Sequence, residues 1–292
     1  ARLVSAGLGG SLGAPAEKGA AMRSSKSVTV VGVHAEGEVG NVIVGGFGQV
    51  PGETMFDKRN YLETQRDWIR QMNLTEPRGA VARNANIILP SNHPDADAGY
   101  VIMEAIEYPV MSGSNTICVA TVLLETGMLE MTEPVTNLVL ESAAGLIPVE
   151  CSVRDGKVTS VRFTNQPAFV YELDATVEVE GVGTVTVDVA WGGMAYIIMD
   201  AKSLGFAIRP DEARDICNLV ERIKQAVAGK PPVSTFIEIG QNPLYTAGTG
   251  TLMDELITLA GGKNVVAQAG YVSYSAEQLL KANPQVYLAT KG

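Results

Sequence analysis

Residues 112–128, SGSNTICVATVLLETGM, constrain this chain more than any other stretch. Ile117, Val119, Ala120, Val122, Leu123 and Leu124 leave hardly a polar side on a helix, and a helix apolar nearly all round has to lie inside a core. Ser112 or Ser114 can cap its start, and Gly127 can end it. The surrounding material has the other period. From residue 26 the chain alternates β-branched and small residues, SVTVVGVHAEG and then NVIVGGFG, which predicts two short strands joined by a turn. NANIILP and GYVIMEAIEYPVM predict more strand. After the helix come TNLVLESAAG, IPVECSVRDGKVTSVRFTNQPAFVYEL and VEVEGVGTVTVDVAWGGMAYIIMD, with a hairpin expected at Asp155-Gly156. A buried helix wrapped in short strands defines an α+β fold.

Other helices are amphipathic. In TMFDKRNYLETQRDWIRQMN, Met55, Tyr61, Leu62, Trp68, Ile69 and Met72 recur at three- and four-residue steps, predicting one helix capped by Thr54 with Asp57 three residues on. Pro210 announces another over residues 211–228. Past Gly229 the texture changes. Lys-Pro-Pro at 230–232 marks a boundary, and strand STFIEIG, helices in LMDELITLAG and SAEQLLKAN, and strand VYLAT form a βαβ-like rhythm. The chain therefore divides into residues 1–21, 22–229 and 233–292. The first 21 residues, rich in Ala and Gly, read as a leader or remnant ahead of a natural start at Met22.

Charge and composition remove whole classes of function. With 22 Lys and Arg against 32 Asp and Glu in 292 residues, the net charge of -10 repels a phosphate backbone and an anionic lipid surface alike, so neither nucleic acid nor membrane is expected as a partner. Apolar runs are broken by Gly, Pro or charge before they reach bilayer length. Cys118, Cys151 and Cys217 are odd in number and form no C-x-x-C pair, which points to a reducing, cytoplasmic setting rather than a disulfide framework. Two histidines, His34 and His93, offer little for a metal site or a serine hydrolase triad, and no metal is expected. Glu36 and Glu38 beside His34 read as a solvated turn, HPDAD at 93–97 as a turn before a strand, and Cys118 as core.

The stretch that can carry chemistry is residues 111–116, MSGSNT, a small polar loop entering the buried helix. A helix start exposes unpaired N–H groups and the positive end of a dipole, and can hold a carboxylate. Simple capping by Ser112 or Ser114 is the other reading, and spacing does not decide between them.

The order of VTVVGVHAEGEVGNVIVGG, TMFDKRNYLETQRDWIRQMNLTEPRG, HPDADAGYVIME, MSGSNTICVATVLLETGMLEMTEPVT and VEVEGVGTVTVDVAWGGMAYIIMDAKSLGFAIRPDEARD resembles the proline racemase family, which includes hydroxyproline epimerases and trans-3-hydroxyproline dehydratases. The resemblance covers residues 22–228. It implies a diaminopimelate-epimerase-like pair of similar β-rich halves, each around a central helix, working as a homodimer without a cofactor. The implied reaction removes the α-proton of a proline or hydroxyproline, with the substrate carboxylate held between two opposed helix starts. Ser112 falls at the first cysteine of the family's Met-Cys-Gly-His motif and is the implied catalytic base or proton relay. Ser114 falls at the histidine, and Gly113, Ser114 and Asn115 are the implied substrate contacts. A serine hydroxyl is a poorer base than a thiolate, so Ser112 leans away from proline racemisation and toward the hydroxyproline epimerases and dehydratases.

The family's second thiol lies in an Asp-x-Ser-Pro-Cys-Gly-Thr-Gly-Thr motif. Here YTAGTGT at 245–251 keeps Gly248 and Thr249 as implied substrate contacts but puts Ala247 at the cysteine. STFIEIGQNPLYTAGTGTLMDELITLAGGKNVVAQAG and the residues after it, about 233–292, are similar instead to the C-terminal lobe of periplasmic binding proteins for corrinoids or iron chelates. That similarity implies an atypical C-terminal part and an alternative role, a catalytically impaired racemase-like binding protein or a solute-binding fragment for corrinoids or iron chelates.

Overall fold

The computed structural model of the chain describes residues 26–228, 232–241, 243–259 and 262–289. The expected leader, residues 1–21, and the Lys230-Pro231 part of the expected boundary lie outside the described residues. The fold is α+β. Its first part runs β1 (Thr29–Val31), β2 (His34–Ala35), β3 (Glu38–Gly45), α1 (Met55–Gln65), α2 (Trp68–Leu74), β4 (Arg83–Leu89), β5 (Ala98–Met103), α3 (Gly113–Glu125), β6 (Val135–Ser142), β7 (Gly145–Arg154) and β8 (Lys157–Phe163). The eight strands form one sheet in the order β1-β3-β4-β5-β6-β7-β8, with β2 on β3.

Period-two alternation sends successive side chains of this sheet into two cores. Val42, Ile88 and Ile102 face α3, whose Cys118, Val119, Ala120, Val122, Leu123 and Leu124 are buried among them; Ile117 is half-buried. Their neighbours Ile43, Ile87 and Val101 face the other way, onto Met55, Leu62 and Ile69 of α1 and α2. Burying each large aliphatic side chain of α3 contributes about 1.5–3 kcal/mol, which holds the helix inside the curl of the sheet as its composition requires.

The sequence predicts a single helix over residues 54–73, and the structure has two. The expected capping box forms: Thr54 Oγ1 accepts from Asp57 N, and Asp57 Oδ2 accepts from Thr54 N. The helix then stops at Arg66, because the Asp67 carboxylate collects Arg70, Gln71 and the Tyr108 hydroxyl and starts a new turn. The strand expected through GYVIMEAIEYPVM likewise ends at Met103, where Glu104 N donates to Glu107 O in a turn.

A second, three-stranded antiparallel sheet follows, β9 (Phe169–Val179), β10 (Gly183–Trp191) and β11 (Ala195–Ile198), backed by α4 (Ala213–Ala228) behind a short 3-10 turn (Pro210–Glu212). Ala175, Val177, Val185, Val187 and Ile223 are buried between sheet and helix. The third sheet comprises β12 (Val233–Gln241), β13 (Leu244–Ala247), β14 (Gly262–Asn264), β15 (Tyr271–Ser273) and β16 (Val286–Ala289), with helices α5 (Leu252–Leu259) and α6 (Ala276–Ala282). β12 pairs in parallel with β14 and β16, the pairing its βαβ rhythm predicts. Leu256 of α5 is buried with Phe56, Val110, Ala143 and Trp191, so this helix packs where the other two sheets meet. No helix among the described residues is long and apolar enough to cross a membrane.

Candidate active site

Ser112 occupies the N-cap position of α3 in an extended conformation (φ -150°, ψ 131°), yet its side chain makes no capping hydrogen bond. Thr54 and Ser275 do cap α1 and α6. The head of α3 thus differs from ordinary helix starts in this chain: its first-turn N–H groups and dipole are not satisfied by the serine placed to do so. Ser112, Gly113 and Ser114 are half-buried, while Asn115 and Thr116 are buried.

The serine hydroxyl is instead held from inside. Asn115 Nδ2 donates to Ser112 Oγ at 3.0 Å, and Ser114 Oγ lies 3.3 Å from it. Asn115 Oδ1 accepts from Asn86 Nδ2 at 2.8 Å. The Ser112 carbonyl is fixed as well, accepting from Thr116 N at 3.0 Å and Thr116 Oγ1 at 2.7 Å. With its own proton spent there, Thr116 Oγ1 accepts from the Tyr100 hydroxyl at 2.6 Å. Burial drives the Tyr100 phenol far above its ordinary value, so it stays protonated and donates.

Two glycines set how closely other elements approach. A Cβ on Gly113 would stand 2.7 Å from Phe163 Cζ, so the β8 ring lies over the helix start only because residue 113 has no side chain. Gly193, between β10 and β11 at φ +112°, would meet Met111 Cβ at 3.3 Å, which brings the second sheet against the loop ahead of Ser112.

Gly248 and Thr249 are engaged elsewhere. Gly248 N donates to Gly270 O and Thr249 N to Gln268 O, both at 2.8 Å, and Gly270 N returns a bond to Thr249 O. Gly250 N donates to Asp254 Oδ2, and Thr251 Oγ1 to Gly248 O. The head of α5 is closed by Asp254 and by the later loop at residues 268–270, and Ala247, ahead of it, is fully buried. Ser112, Ser114 and Asn115 are brought together; no hydrogen bond found among the described residues joins them to Gly248 or Thr249.

The weaker candidates resolve into turns and core. His34 Nδ1 accepts from Gly37 N, and His93 Nδ1 from Asp95 N, each within a turn. Among the described residues no three His, Cys, Asp or Glu side chains converge as a metal ion needs. Cys118 and Cys151 are buried, and burial pushes both thiols up to about 11, which suits core packing rather than nucleophilic work.

The family model for proline racemase matches residues 30–240, and the chain belongs to the proline racemase family. A crystal structure of a hydroxyproline epimerase from Agrobacterium vitis, with bound trans-4-hydroxy-L-proline, is 40% identical, with a TM-score of 0.64 over 68% of this chain and 58% of that one. A "probable proline racemase" from Agrobacterium radiobacter, with bound carbonate, is 37% identical, with a TM-score of 0.63 over 66% of this chain and 57% of that one. The chain spans less than two thirds of the length of either relative. The vitamin B12 binding protein of Vibrio cholerae is 26% identical over 28% of this chain and 32% of that one, with a TM-score of 0.23.

Asn86, Tyr100 and Phe163 are parts of the site that the sequence does not announce. One signal was present: Asn86 is the polar residue inside the apolar run NANIILP, at a position where β4 is otherwise buried.

Proposed function

We propose that the chain binds a proline-like imino acid by its carboxylate at the head of α3 and exchanges the α-proton through Ser112, without a cofactor. The observation that carries this reading is the uncapped first turn of α3 with a half-buried Ser112 at its mouth. The backbone N–H groups of Gly113, Ser114 and Asn115 point toward the bound carboxylate, and such aligned donors favour the enediolate that forms when the α-proton leaves. Ser112 Oγ, its hydroxyl proton first released to solvent at the half-buried mouth of the loop, takes the proton from Cα while the electron pair moves into the carboxylate. Membership of the proline racemase family supports the reaction type, and the hydroxyproline held by the 40%-identical relative supports a hydroxyproline as substrate.

The buried Ala247 favours one-sided chemistry, since alanine transfers no proton and the Gly248 and Thr249 N–H groups are taken by the carbonyls of Gly270 and Gln268. A single residue suffices to wash the α-hydrogen in and out on one face. It also suffices for dehydration of a 3-hydroxyproline: the proton gained from Cα passes to the departing 3-hydroxyl, the C–O bond breaks, and water leaves. In this reading residues 22–229 carry the chemistry, Gly248 and Thr249 contribute at most the Thr249 hydroxyl, and the working form is a cytoplasmic homodimer, which sedimentation would check.

Incubation with proline, 4-hydroxyproline and trans-3-hydroxyproline in heavy water tests the proposal. Deuterium at Cα, or loss of water from the 3-hydroxy compound, is the expected result. No exchange and no elimination with any of the three would refute it.

A further inference from the structure

A backbone carbonyl only accepts hydrogen bonds, and this fixes the direction of every carboxamide chained to it. Asn86 Nδ2 donates to Gly40 O at 3.2 Å and to Asn115 Oδ1 at 2.8 Å. Turned over, Asn86 would set oxygen against the Gly40 oxygen, so its amino group stays where it is. Asn115 then gives its oxygen to Asn86 and has only Nδ2 left for Ser112 Oγ, 3.0 Å away. The serine oxygen therefore meets an N–H and not a carbonyl. Its own proton has to point elsewhere, to Ser114 Oγ at 3.3 Å or out of the loop.

The bond to the Gly40 carbonyl serves β3, but it does not require the second bond to Asn115. Asn86 is fully buried, and its Oδ1 finds no donor among the described residues. A buried carboxamide with an unpaired oxygen weakens a fold that an apolar side chain would serve better. Space is also kept for it: a Cβ on Gly40 would stand 3.0 Å from Asn115 Oδ1 and 3.3 Å from Asn86 Nδ2. The useful output of the chain of amides is the N–H delivered to Ser112.

We infer that Asn115 is a positioning residue for Ser112 and that Asn86 sets its direction, so that Oγ always has an N–H donor behind it and presents its proton or lone pair to the substrate. The inference rests on Ser112 as the group that exchanges the α-proton. A donor aimed at Oγ stabilises negative charge on that atom, which an unassisted alcohol needs most.

The test uses no substrate, so its failure is distinct from an absence of isotope exchange. In the full chain carrying Ser112→Cys, with the exposed Cys217 changed to Ser, alkylation of residue 112 by iodoacetamide is followed against pH by mass spectrometry. Adding Asn115→Ala is expected to raise the midpoint by about one pH unit, the size of one charge-assisted hydrogen bond. Asn115→Asp raises it further, because a carboxylate replaces the donor, and Asn86→Ala raises it by releasing Asn115 to turn. A midpoint unmoved by both Asn115 changes overturns the inference. A second measurement covers a variant that fails to fold: the Asn115 side-chain amide protons of the Ser112→Cys chain, read by NMR, shift with the same midpoint. Amide signals that stay still through the titration overturn it equally.

Discussion

Arg59 Nη1 of α1 lies 3.0 Å from Glu255 Oε2 of α5, joining residues 196 positions apart in the chain. The same guanidinium reaches Glu63 and Asn60 through Nη1 and the Tyr108 carbonyl through Nε, and its side chain is only 9% exposed. Burial pushes the Glu255 carboxyl above its ordinary value, and the facing guanidinium offsets this only in part. Arg59 is thus the polar anchor by which the C-terminal sheet sits on the family's α1. Arg59→Ala is expected to cost about 2 kcal/mol, between an exposed and a fully buried pair, and to expose the α5 segment. Urea unfolding and limited proteolysis would show it; an unchanged urea midpoint would contradict the anchoring role.

Ser112 carries the chemistry proposed here, and its substitutions separate base strength from binding. Ser112→Ala is expected to lower α-deuterium exchange on the order of 10²–10⁴-fold, the usual range for a lost acid–base group. Ser112→Cys is expected to raise it on the order of tenfold, because a thiol ionises far more readily than an alcohol at the same place. Exchange rates from proton NMR in heavy water decide both, and a Cys variant slower than Ala would count against Ser112.

Gly40 is a packing position with an ordinary backbone. A Cβ there would come within 2.9 Å of Cys118 Sγ as well as pressing on Asn115. Gly40→Ala is therefore expected to destabilise by about 1–3 kcal/mol through overpacking, and to slow exchange along with Asn115. Thermal melting and exchange measured on the same sample test the two effects together.

Asp67 gives a pH dependence of known sign. The Arg70 guanidinium, against the pull of burial and with help from Tyr108 and Gln71, holds its carboxyl below the ordinary 3.8. The unfolded chain then binds the proton more tightly, so the stability Asp67 contributes is full above about pH 4 and lost as pH falls through the lowered value. Urea midpoints for the natural chain and Asp67→Asn should differ at neutral pH and converge in acid. A gap that widens in acid would reverse the assignment.

Local features of this chain were legible in its sequence. The composition of α3 alone demands a core, and α3 lies in one. Asp155 at φ +53° and Gly156 at φ +69° make the hairpin that the dipeptide predicts between β7 and β8. What the sequence hid depends on partners far along the chain. The break at Asp67 needs Tyr108, 41 residues on. Asn86 meets Asn115 and Gly40 only because β3 and β4 pair in parallel, a register that no local pattern encodes. Ser112 stood out as a helix-start serine, but whether it capped the helix turned on that same distant pair. Gly-Thr-Gly-Thr at 248–251 looked like a second open helix start, and the carbonyls at 268 and 270 that close it lie on a later loop.

The burial of Ala247 also bears on redesign. Its carbonyl accepts from Asn264 Nδ2 at 2.9 Å, and no part of the residue reaches solvent. A cysteine grafted there would be as sheltered as Cys118 and Cys151, whose thiols stay protonated up to about 11. For the one-sided chemistry proposed above to become inversion at Cα through residue 247, the turn from β13 into α5 would have to be rebuilt, because a thiol at that buried place would stay protonated.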